Sequence, residues 1–344
     1  MDSNQYDDSY ETPVLTAGKS FILGYTDEKN NIFDNLPIII FDDFTTSVQF
    51  VDFPFKVKSS AMKLLKNTEQ ADIKYCYYLL KFLQHTPENH KRQWLSATSQ
   101  NIVELPTIEK QKNIVRKLDK ILEVIDNQNK QLELLDEAIK ARFMEMFGDL
   151  RVNDKGWKYY KLDELTELIT DGEHATPKRT TQGIYLLSAR NVLNHQLSLE
   201  DVDYIDYDEF SRISRRIIPR EGDVLISCSG SIGRCCVVPK NIKFQMVRSI
   251  ALLRFKSNIN PVFAEYMITS DYLQDQINKS KTASSQANLF QGKIKSLKGV
   301  VPPLELQNQF ASFVQEIDKS RSRIQKSLEA SQELFDSLMQ EYFG

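Results

Sequence analysis

PTIEKQKNIVRKLDKILEVIDNQNKQLELLDEAIKARFMEMFG, at residues 106–148, has a second copy, PPLELQNQFASFVQEIDKSRSRIQKSLEASQELFDSLMQEYFG, at residues 302–344. The two stretches align without a gap at an offset of 196 residues, and eleven positions are identical. In both, apolar residues recur in alternating steps of four and three, which is the period of a coiled-coil seam. Pro106 and Pro302 stand where proline is tolerated at a helix start. The pattern predicts two long helices, at residues 106–150 and 302–344.

The predicted seam is apolar at eight of ten positions in each helix. Gln128 and Arg321 are polar seam residues, and single polar residues of this kind commonly fix the register of a coiled coil. Two copies of the chain could bury such a stripe between them, but pairing of the two helices within one chain is the simpler arrangement. We expect that pairing to be antiparallel. The apolar seam residues are Ile114, Leu118, Ile121, Ile125, Leu132, Leu135 and Ile139 in the first helix, and Phe310, Val314, Ile317, Ile324, Leu328, Phe335 and Leu338 in the second.

The internal repeat extends upstream of both helices. VKSSAMKLL (57–65) resembles VRSIALLRF (247–255), and YCYYLL (75–80) resembles FAEYMI (263–268). The order is therefore globular unit, long helix, globular unit, long helix. We expect an α+β fold in which two globular domains are separated by a pair of long antiparallel coiled-coil helices, in a pseudo-two-fold repeat. The expected boundaries are 1–105 for the first domain, 106–150 for its helix, 151–301 for the second domain and 302–344 for the second helix.

Within the globular domains, short runs of β-prone residues bounded by Pro, Gly and Asn predict strands. Apolar periodicity between these runs predicts short helices. The predicted strands are 36–44, 50–57, 222–230 and 234–240, and the predicted short helices are 161–169 and 261–277.

Charge is distributed unevenly along the chain. The formal net charge is −3, but residues 151–301 hold 22 basic and 17 acidic side chains, giving +5, whereas residues 1–105 hold 10 and 14, giving −4. A basic domain suits contact with a polyanion such as nucleic acid, although a solvated lysine- and arginine-rich surface explains the excess equally well. No run of 18 or more apolar residues is present, and the polar N-terminus MDSNQYDDSYE is not a signal peptide, so we expect a cytoplasmic protein with no membrane contact.

Catalytic and metal-binding signatures are weak in this sequence. TAGKS (16–20) followed by PIIIFDDF (37–44) imitates the two signatures of a P-loop ATPase. The glycine that the phosphate cradle needs four residues before Gly-Lys-Ser is replaced by Pro13, and too few residues follow for the helix of a P-loop unit. The four histidines and four cysteines show no metal-ligand spacing, and burial is the expected role of the cysteines. We therefore expect no catalytic residue, no bound metal and no cofactor on this chain.

Polar basic stretches concentrate in the second domain. They mix Lys and Arg with Asn, Gln, Ser and Thr, the side chains that read base edges and position phosphates in DNA. An ordinary solvated loop is the alternative for each stretch taken alone. The stretches are TPKRTTQG (176–183), SARNVLNHQ (188–196), RISRRIIPR (212–220) and KSKTASSQANLFQGKIK (279–295).

Taken together, these features resemble the specificity (S) subunits of type I restriction–modification systems. The helix starts LPTIEKQ (105–111) and VPPLELQ (301–307) look like that family's conserved helix start, and FMEMFGDL (143–150) resembles its helix exit. The remaining similarity lies in the second domain and covers YKLDELTELITDGEHATPK (160–178), GIYLLSARNV (183–192), EGDVLISCSGSIGR (221–234) and SSQANLFQGKIKSLKGVVPPLELQ (284–307).

The resemblance implies DNA reading without catalysis. Each globular domain would be a target recognition domain reading one half of a split double-stranded target, and the helices would set the spacing and dock two modification subunits. Those methyltransferase subunits would bind S-adenosylmethionine, and restriction–translocase subunits using ATP and Mg would join them. The candidate DNA contacts, chosen by chemistry and loop placement, are Lys178, Arg179, Arg190, Asn191, Arg234, Arg248, Ser285, Gln286 and Asn288 in the second domain, and Lys19, Ser20, Lys58, Ser59 and Arg92 in the first.

The first domain departs from this pattern. It shows no counterpart of the KLDEL segment or of residues 200–220, so it either belongs to a shorter class or lacks its N-terminal part. In the second case we expect it to bind DNA poorly. A structural adaptor that joins two protein partners through the coiled coil, without reading DNA, is the competing hypothesis.

Overall fold

The computed structural model describes residues 7, 9–16, 21–58, 62–86, 92–279 and 288–344. The chain divides into two compact α+β units, Met1–Leu132 with Arg323–Gly344, and Glu133–Ser322. Each long helix therefore contributes a segment to both units.

The first unit contains two small sheets. One has the strand order β2-β1-β6-β3, and the other has the order β5-β4-β7. Its elements are β1 (Thr12–Leu15), β2 (Ile22–Thr26), β3 (Ile32–Phe33), β4 (Ile38–Asp42), β5 (Val48–Val51), β6 (Phe55–Val57), β7 (Met62–Leu65), α1 (Ile73–Phe82) and the first part, up to Leu132, of the long helix α2 (Ile108–Phe147).

The second unit has two corresponding sheets, of which one gains a strand and the other has three strands instead of four. Its sheets have the orders β13-β10-β16 and β15-β14-β17-β9, with the short pairs β11-β12 and β18-β8 beside them. Its elements are β8 (Tyr159–Lys161), α3 (Leu162–Leu165), β9 (Thr166–Asp171), β10 (Ile184–Leu187), β11 (Val192–Leu193), β12 (Gln196–Leu197), β13 (Asp203–Ile205), α4 (Tyr207–Ser214), β14 (Val224–Ser227), β15 (Cys235–Val237), β16 (Phe244–Met246), β17 (Ile250–Phe255), α5 (Pro261–Thr269), α6 (Asp271–Asn278), α7 (Gln291–Ser296), β18 (Lys298–Val300) and the first part, up to Ser322, of the long helix α8 (Leu304–Phe343).

The pattern of strand pairing indicates that the two units are structural repeats. Ile39 of β4 lies opposite Leu65 of β7, and in the second unit Val224 of β14 lies opposite Leu253 of β17. Likewise β1 pairs in parallel with β6, as β10 does with β16. The central strands β4 and β14 are buried along their whole length, because alternate side chains enter hydrophobic clusters on opposite faces.

Three elements differ from those predicted. The helix expected at residues 161–169 ends at Leu165, because the next six residues form β9 and pair with β17. The helix expected at 261–277 breaks at Ser270, whose backbone is extended, into α5 and α6. The strand expected at 50–57 is two strands, β5 and β6, which belong to different sheets. In the first and third cases strand pairing overrides a local preference.

The long helices run antiparallel to each other within each unit. In the first unit, Lys117 donates to the Tyr342 hydroxyl at 3.2 Å, and Gln128 Nε2 donates to Ser327 Oγ at 2.8 Å. In the second unit, Arg321 Nη2 donates to Asp136 Oδ1 at 2.6 Å. None of the fourteen predicted apolar seam residues is exposed. Ile125 is buried, whereas Ile121, Leu132, Leu135, Ile317, Ile324 and Leu328 are half-buried, as expected where only two helices meet.

A buried glutamine joins each long helix to its globular domain. Gln111 Oε1 accepts a hydrogen bond from the backbone N–H of Asp72, the N-cap of α1. Gln307 Oε1 accepts the equivalent hydrogen bond from the backbone N–H of Asn260, the N-cap of α5. The amide of Gln111 also donates to the carbonyls of Pro106 and Gln70, and that of Gln307 to Pro302 and Asn258. Both glutamines are 0% exposed.

Aromatic side chains reinforce the same junctions. Tyr75 of α1 packs against Phe343 at a ring separation of 5.1 Å, and Phe263 of α5 packs against Phe147 at 4.7 Å. Phe343 and Phe147 are equivalent residues at the ends of the two helices. The end of α8 therefore packs on α1, which Gln111 at the start of α2 holds in place. In the same way, the end of α2 packs on α5, which Gln307 at the start of α8 holds in place.

We predict that Gln307→Ala lowers the free energy of unfolding by about 1–3 kcal/mol for each buried group that it leaves unpaired. Urea denaturation of the whole chain measures this effect. Gln332→Ala is the matched control, since Gln332 is exposed and its side-chain amide donates a hydrogen bond to Asp336 of its own helix. Equal losses in the two variants would contradict a junction role for Gln307.

Candidate nucleic-acid interface

The loops at one edge of the second unit are joined through Ser249, in the turn between β16 and β17. The Oγ of Ser249 accepts a hydrogen bond from the backbone N–H of Ala189 at 3.0 Å. The carbonyl of Ser249 accepts a second hydrogen bond, from the backbone N–H of Cys228, at 2.8 Å. Cys228 in turn accepts from the N–H of Leu289 at 2.8 Å. The segments after β10 and β14 and the segment before α7 thus meet at one place. We call the exposed residues of loops 172–180, 188–190, 228–234, 247–249 and 288–290 the strand-end surface.

The loop after β9 joins this surface through close backbone contacts. Glu173 exchanges hydrogen bonds with the β16–β17 turn, donating to Met246 and accepting from the N–H of Arg248 at 3.0 Å. A Cβ on Gly172 would overlap the carbonyl oxygens of Met246 and Val247. Only glycine therefore permits this approach.

Two predicted arginines share one carboxylate. Arg179 Nε lies 3.0 Å from Asp203 Oδ2, and Arg190 Nη2 lies 3.4 Å from Asp203 Oδ1. Arg190 also pairs with Asp201 at 3.2 Å and donates to its carbonyl at 2.9 Å. Both arginines remain exposed. The aspartates hold the two guanidinium groups at the surface and reduce the local positive charge.

Lys178, Arg248 and Asn288 are also exposed on the strand-end surface. The backbone N–H of Lys178 donates to Glu209 Oε1, and an isolated bridge joins Asn288 to Ser229. Among the described residues, the Arg248 side chain makes no hydrogen bond or ion pair.

The structure corrects the prediction for Asn191. Its side chain is 1% exposed, accepts from the backbone N–H of Ser188, and donates to the carbonyls of Ser198 and Asp201. Its amide therefore holds the loop together and has no surface to offer a base. Arg234 is half-buried and donates from Nη2 to the Ala189 carbonyl at 3.0 Å, so it too supports the loop.

The remaining predicted contacts lie in the first unit or outside the described residues. Lys58 is exposed, and its backbone N–H donates to Leu15. Arg92 is exposed and lies 4.0 Å from Asp43. Five predicted residues, Lys19, Ser20, Ser59, Ser285 and Gln286, lie outside the described residues.

Sequence reasoning missed two arginines that shape this surface. Arg212 lies on α4, not in a loop, and its guanidinium donates two hydrogen bonds, each of 2.9 Å, to the carboxylate of Glu209. Arg216 pairs with Asp171 at 2.6 Å and donates to the Gly172 carbonyl at 3.0 Å. Hydrogen bonds from Arg212 lower the pKa of Glu209, which therefore stays ionised and anchors the Lys178 loop. The basic stretch 212–220 pointed to both arginines in the sequence, but residue spacing alone did not show that this stretch begins within a helix.

The described residues offer little for catalysis. They contain no cluster of three or more His, Cys, Asp or Glu arranged to hold a metal ion. Burial raises the pKa of the Cys228 thiol to about 12 and also raises those of Cys235 and Cys236, so none is a thiolate at neutral pH. In the described part of the chain, no helix has the length and hydropathy of a membrane span.

We predict that Gly172→Ala destabilises the chain by about 1–3 kcal/mol, the usual cost of overpacking, because the new methyl group displaces the β16–β17 turn. Gly292→Ala is the control, since a Cβ there meets nothing within 4 Å and Gly292 lies in helix α7. Thermal or urea unfolding compares the two variants. If Gly172→Ala left the stability of the chain unchanged, the loop after β9 and the β16–β17 turn would not be in close contact.

Comparisons with known proteins agree with this arrangement. The chain is 28% identical over 372 residues to the specificity subunit of the type I restriction enzyme EcoR124I/EcoR124II of Escherichia coli, covering 96% of this chain and 85% of that protein. It is 21% identical to the MjaVIII specificity subunit of Methanocaldococcus jannaschii, covering 86% and 76% respectively. The crystal structure of the type I restriction–modification S subunit from M. genitalium has the same fold, with a TM-score of 0.60 over 100% of this chain and 91% of that one, at 15% identity.

A family model assigns the chain directly. The model described as type I restriction modification DNA specificity domain matches residues 154–332, which include the strand-end surface and most of α8. Since this match spans more than half of the chain, the protein belongs to the type I restriction–modification DNA specificity family.

Proposed function

We propose that this chain is the non-catalytic DNA-reading subunit of a type I restriction–modification complex, and that the strand-end surface of the second unit reads one half of a bipartite target. The observation that carries the proposal is the convergence of Arg179, Arg190 and Arg248 on loops held together through Ser249, within the region that matches the family model.

The chemistry of this surface suits recognition of DNA. Arginine contacts guanine bidentately in the major groove, and lysine and backbone N–H groups position phosphates. The loops are held through backbone hydrogen bonds, so their outward side chains are free to meet a duplex without loosening the sheet. Arg179 and Arg190 would exchange their aspartate partners for DNA, whereas Arg248 has no such pair to break among the described residues.

The long helices would serve as the spacer and as the docking site for the modification subunits. Family membership and the antiparallel packing within each unit support this role. Two modification subunits would supply S-adenosylmethionine-dependent adenine methylation, and restriction–translocase subunits using ATP and Mg would join them. On this proposal the chain acts in the cytoplasm on double-stranded DNA. The adaptor hypothesis is not favoured, because the relatives are specificity subunits.

We predict that Arg248→Ala weakens binding of the assembled methyltransferase complex to its target by about 10- to 100-fold. A base-reading arginine contributes about 1–3 kcal/mol, and its loss relaxes specificity at one position. Methylation sequencing of the host identifies the target, and a binding titration at fixed salt gives the fold-change.

The matched control is Arg151→Ala. Arg151 is exposed in the same unit but pairs with Asp275 of α6, apart from the strand-end loops. Uniform weakening on all DNA sequences would make Arg248 a phosphate contact. A methylome that is unchanged when the gene is removed would contradict the proposed function itself.

A further inference from the structure

The strand-end surface carries one exposed aromatic side chain that packs against nothing in the fold. Phe290 is 73% exposed, and in the described part of that surface it is the only large hydrophobic residue that is exposed. Among the described residues, its ring meets no other aromatic ring and no cation. The packing of the domain therefore does not explain why a phenylalanine stands at this position.

The position of Phe290 at a helix start makes the residue more unusual. Phe290 is the N-cap of α7. Ser, Thr, Asn and Asp are preferred at an N-cap, because their side-chain oxygens accept hydrogen bonds from the free backbone N–H groups of the first turn. The side chain of Phe290 makes no such bond. It thus provides neither a helix cap nor a large buried surface.

The equivalent residue of the first unit is packed. In each unit the backbone N–H of one residue, Leu289 or Gln93, donates to the carbonyl of the residue that follows the central strand, β14 or β4. The next residue along the chain, Phe290, therefore corresponds to Trp94. Trp94 is half-buried and packs edge-on against Phe41 of β4 at a ring separation of 5.1 Å. An aromatic side chain at this position can cover the strand beside it, but that of Phe290 does not.

The backbone that carries Phe290 is held on both sides. Leu289, just before it, is 3% exposed and belongs to the main hydrophobic core of the second unit. The carbonyl of Phe290 accepts hydrogen bonds from two N–H groups of α7 at 2.9 and 3.1 Å, and the side-chain amide of Gln291 donates to the carbonyl of Ile169 in β9. A ring held outward on a fixed backbone loses little conformational freedom when it binds.

We propose that Phe290 is a specificity residue that packs against the C5 methyl group of a thymine in the major groove of the DNA target. The turn that carries Arg248 reaches the Phe290 segment through hydrogen bonds to the two main-chain groups of Cys228. An arginine suited to guanine and an apolar ring therefore lie on the same anchored surface. The thymine methyl is the apolar group that base pairs offer in the major groove, and phenylalanine is one of the side chains that contact it. This inference rests on the proposed reading of DNA by the strand-end surface.

Replacement of thymine by deoxyuridine tests the proposal, because the two nucleotides differ only in the C5 methyl group. The assembled methyltransferase complex is titrated with duplexes of its target sequence, in which each thymine is replaced in turn. We expect one replacement to weaken binding by the wild-type complex about fourfold, the effect of leaving one methyl group unburied. Phe290→Ala should weaken binding to the thymine duplex and abolish the effect of that replacement, since both changes remove the same contact.

Several outcomes would overturn the assignment of Phe290. They are a wild-type complex that tolerates deoxyuridine at every position, a Phe290→Ala complex that keeps full affinity for the thymine duplex, and a Phe290→Ala complex that retains the wild-type sensitivity to deoxyuridine. Equal weakening on all DNA sequences would make the ring a sequence-independent contact and would overturn it too. A wild-type complex with no preference for its target over unrelated DNA would instead contradict the proposed function.

A stability measurement separates recognition from a structural role. Phe290→Ser should weaken target binding while leaving the unfolding temperature unchanged or raising it, since serine can cap α7. Val152→Ser is the matched control, because Val152 is also 73% exposed in the second unit but lies outside the strand-end loops. We expect this control to leave target binding unchanged. A lower unfolding temperature for Phe290→Ser would show that the ring supports the fold and would contradict the proposal.

Discussion

Both units are organised around a buried glutamine at the start of a long helix. Gln111 and Gln307 each bind, through both ends of the side-chain amide, the backbone segment that leads into a short helix of the globular domain. A buried amide must satisfy its donors and acceptor, so its partners must keep their positions relative to the helix. The N-caps of α1 and α5 are fixed in this way, and the aromatic contacts of Tyr75 and Phe263 follow from where those short helices lie. The rigidity of each domain–helix junction therefore originates in one polar side chain.

Much of the architecture can be predicted from the sequence because the apolar residues of the long helices recur periodically and the globular units are repeated. The four–three spacing identifies both long helices, and the repeat offset identifies the equivalent globular units. The same reasoning fails at residues 161–169, where apolar spacing suggests one helix but pairing with β17 draws Thr166–Asp171 into a strand. The local sequence cannot indicate this pairing, since β17 is some eighty residues further along the chain.

The candidate site is less predictable than the fold. Residue chemistry identifies Arg190 and Asn191 together, yet the structure gives these neighbours opposite roles: one guanidinium is exposed beside Asp201 and Asp203, and one amide is buried under the same loop. Charge counts also hide the local balance, because arginines of the strand-end surface are interleaved with aspartates and glutamates. Such pairing keeps the cations oriented before a polyanion arrives, at the cost of exchanging partners when it does.

The way the strand-end loops are anchored has a consequence for how recognition can evolve. Ser249, Glu173 and Gly172 hold these loops mainly through main-chain atoms, so outward side chains such as that of Arg248 contribute nothing to the anchoring among the described residues. Mutations at those outward positions can accumulate without eroding the stability of the domain. The unit can thus acquire a new target specificity through a few side-chain replacements while its scaffold drifts independently.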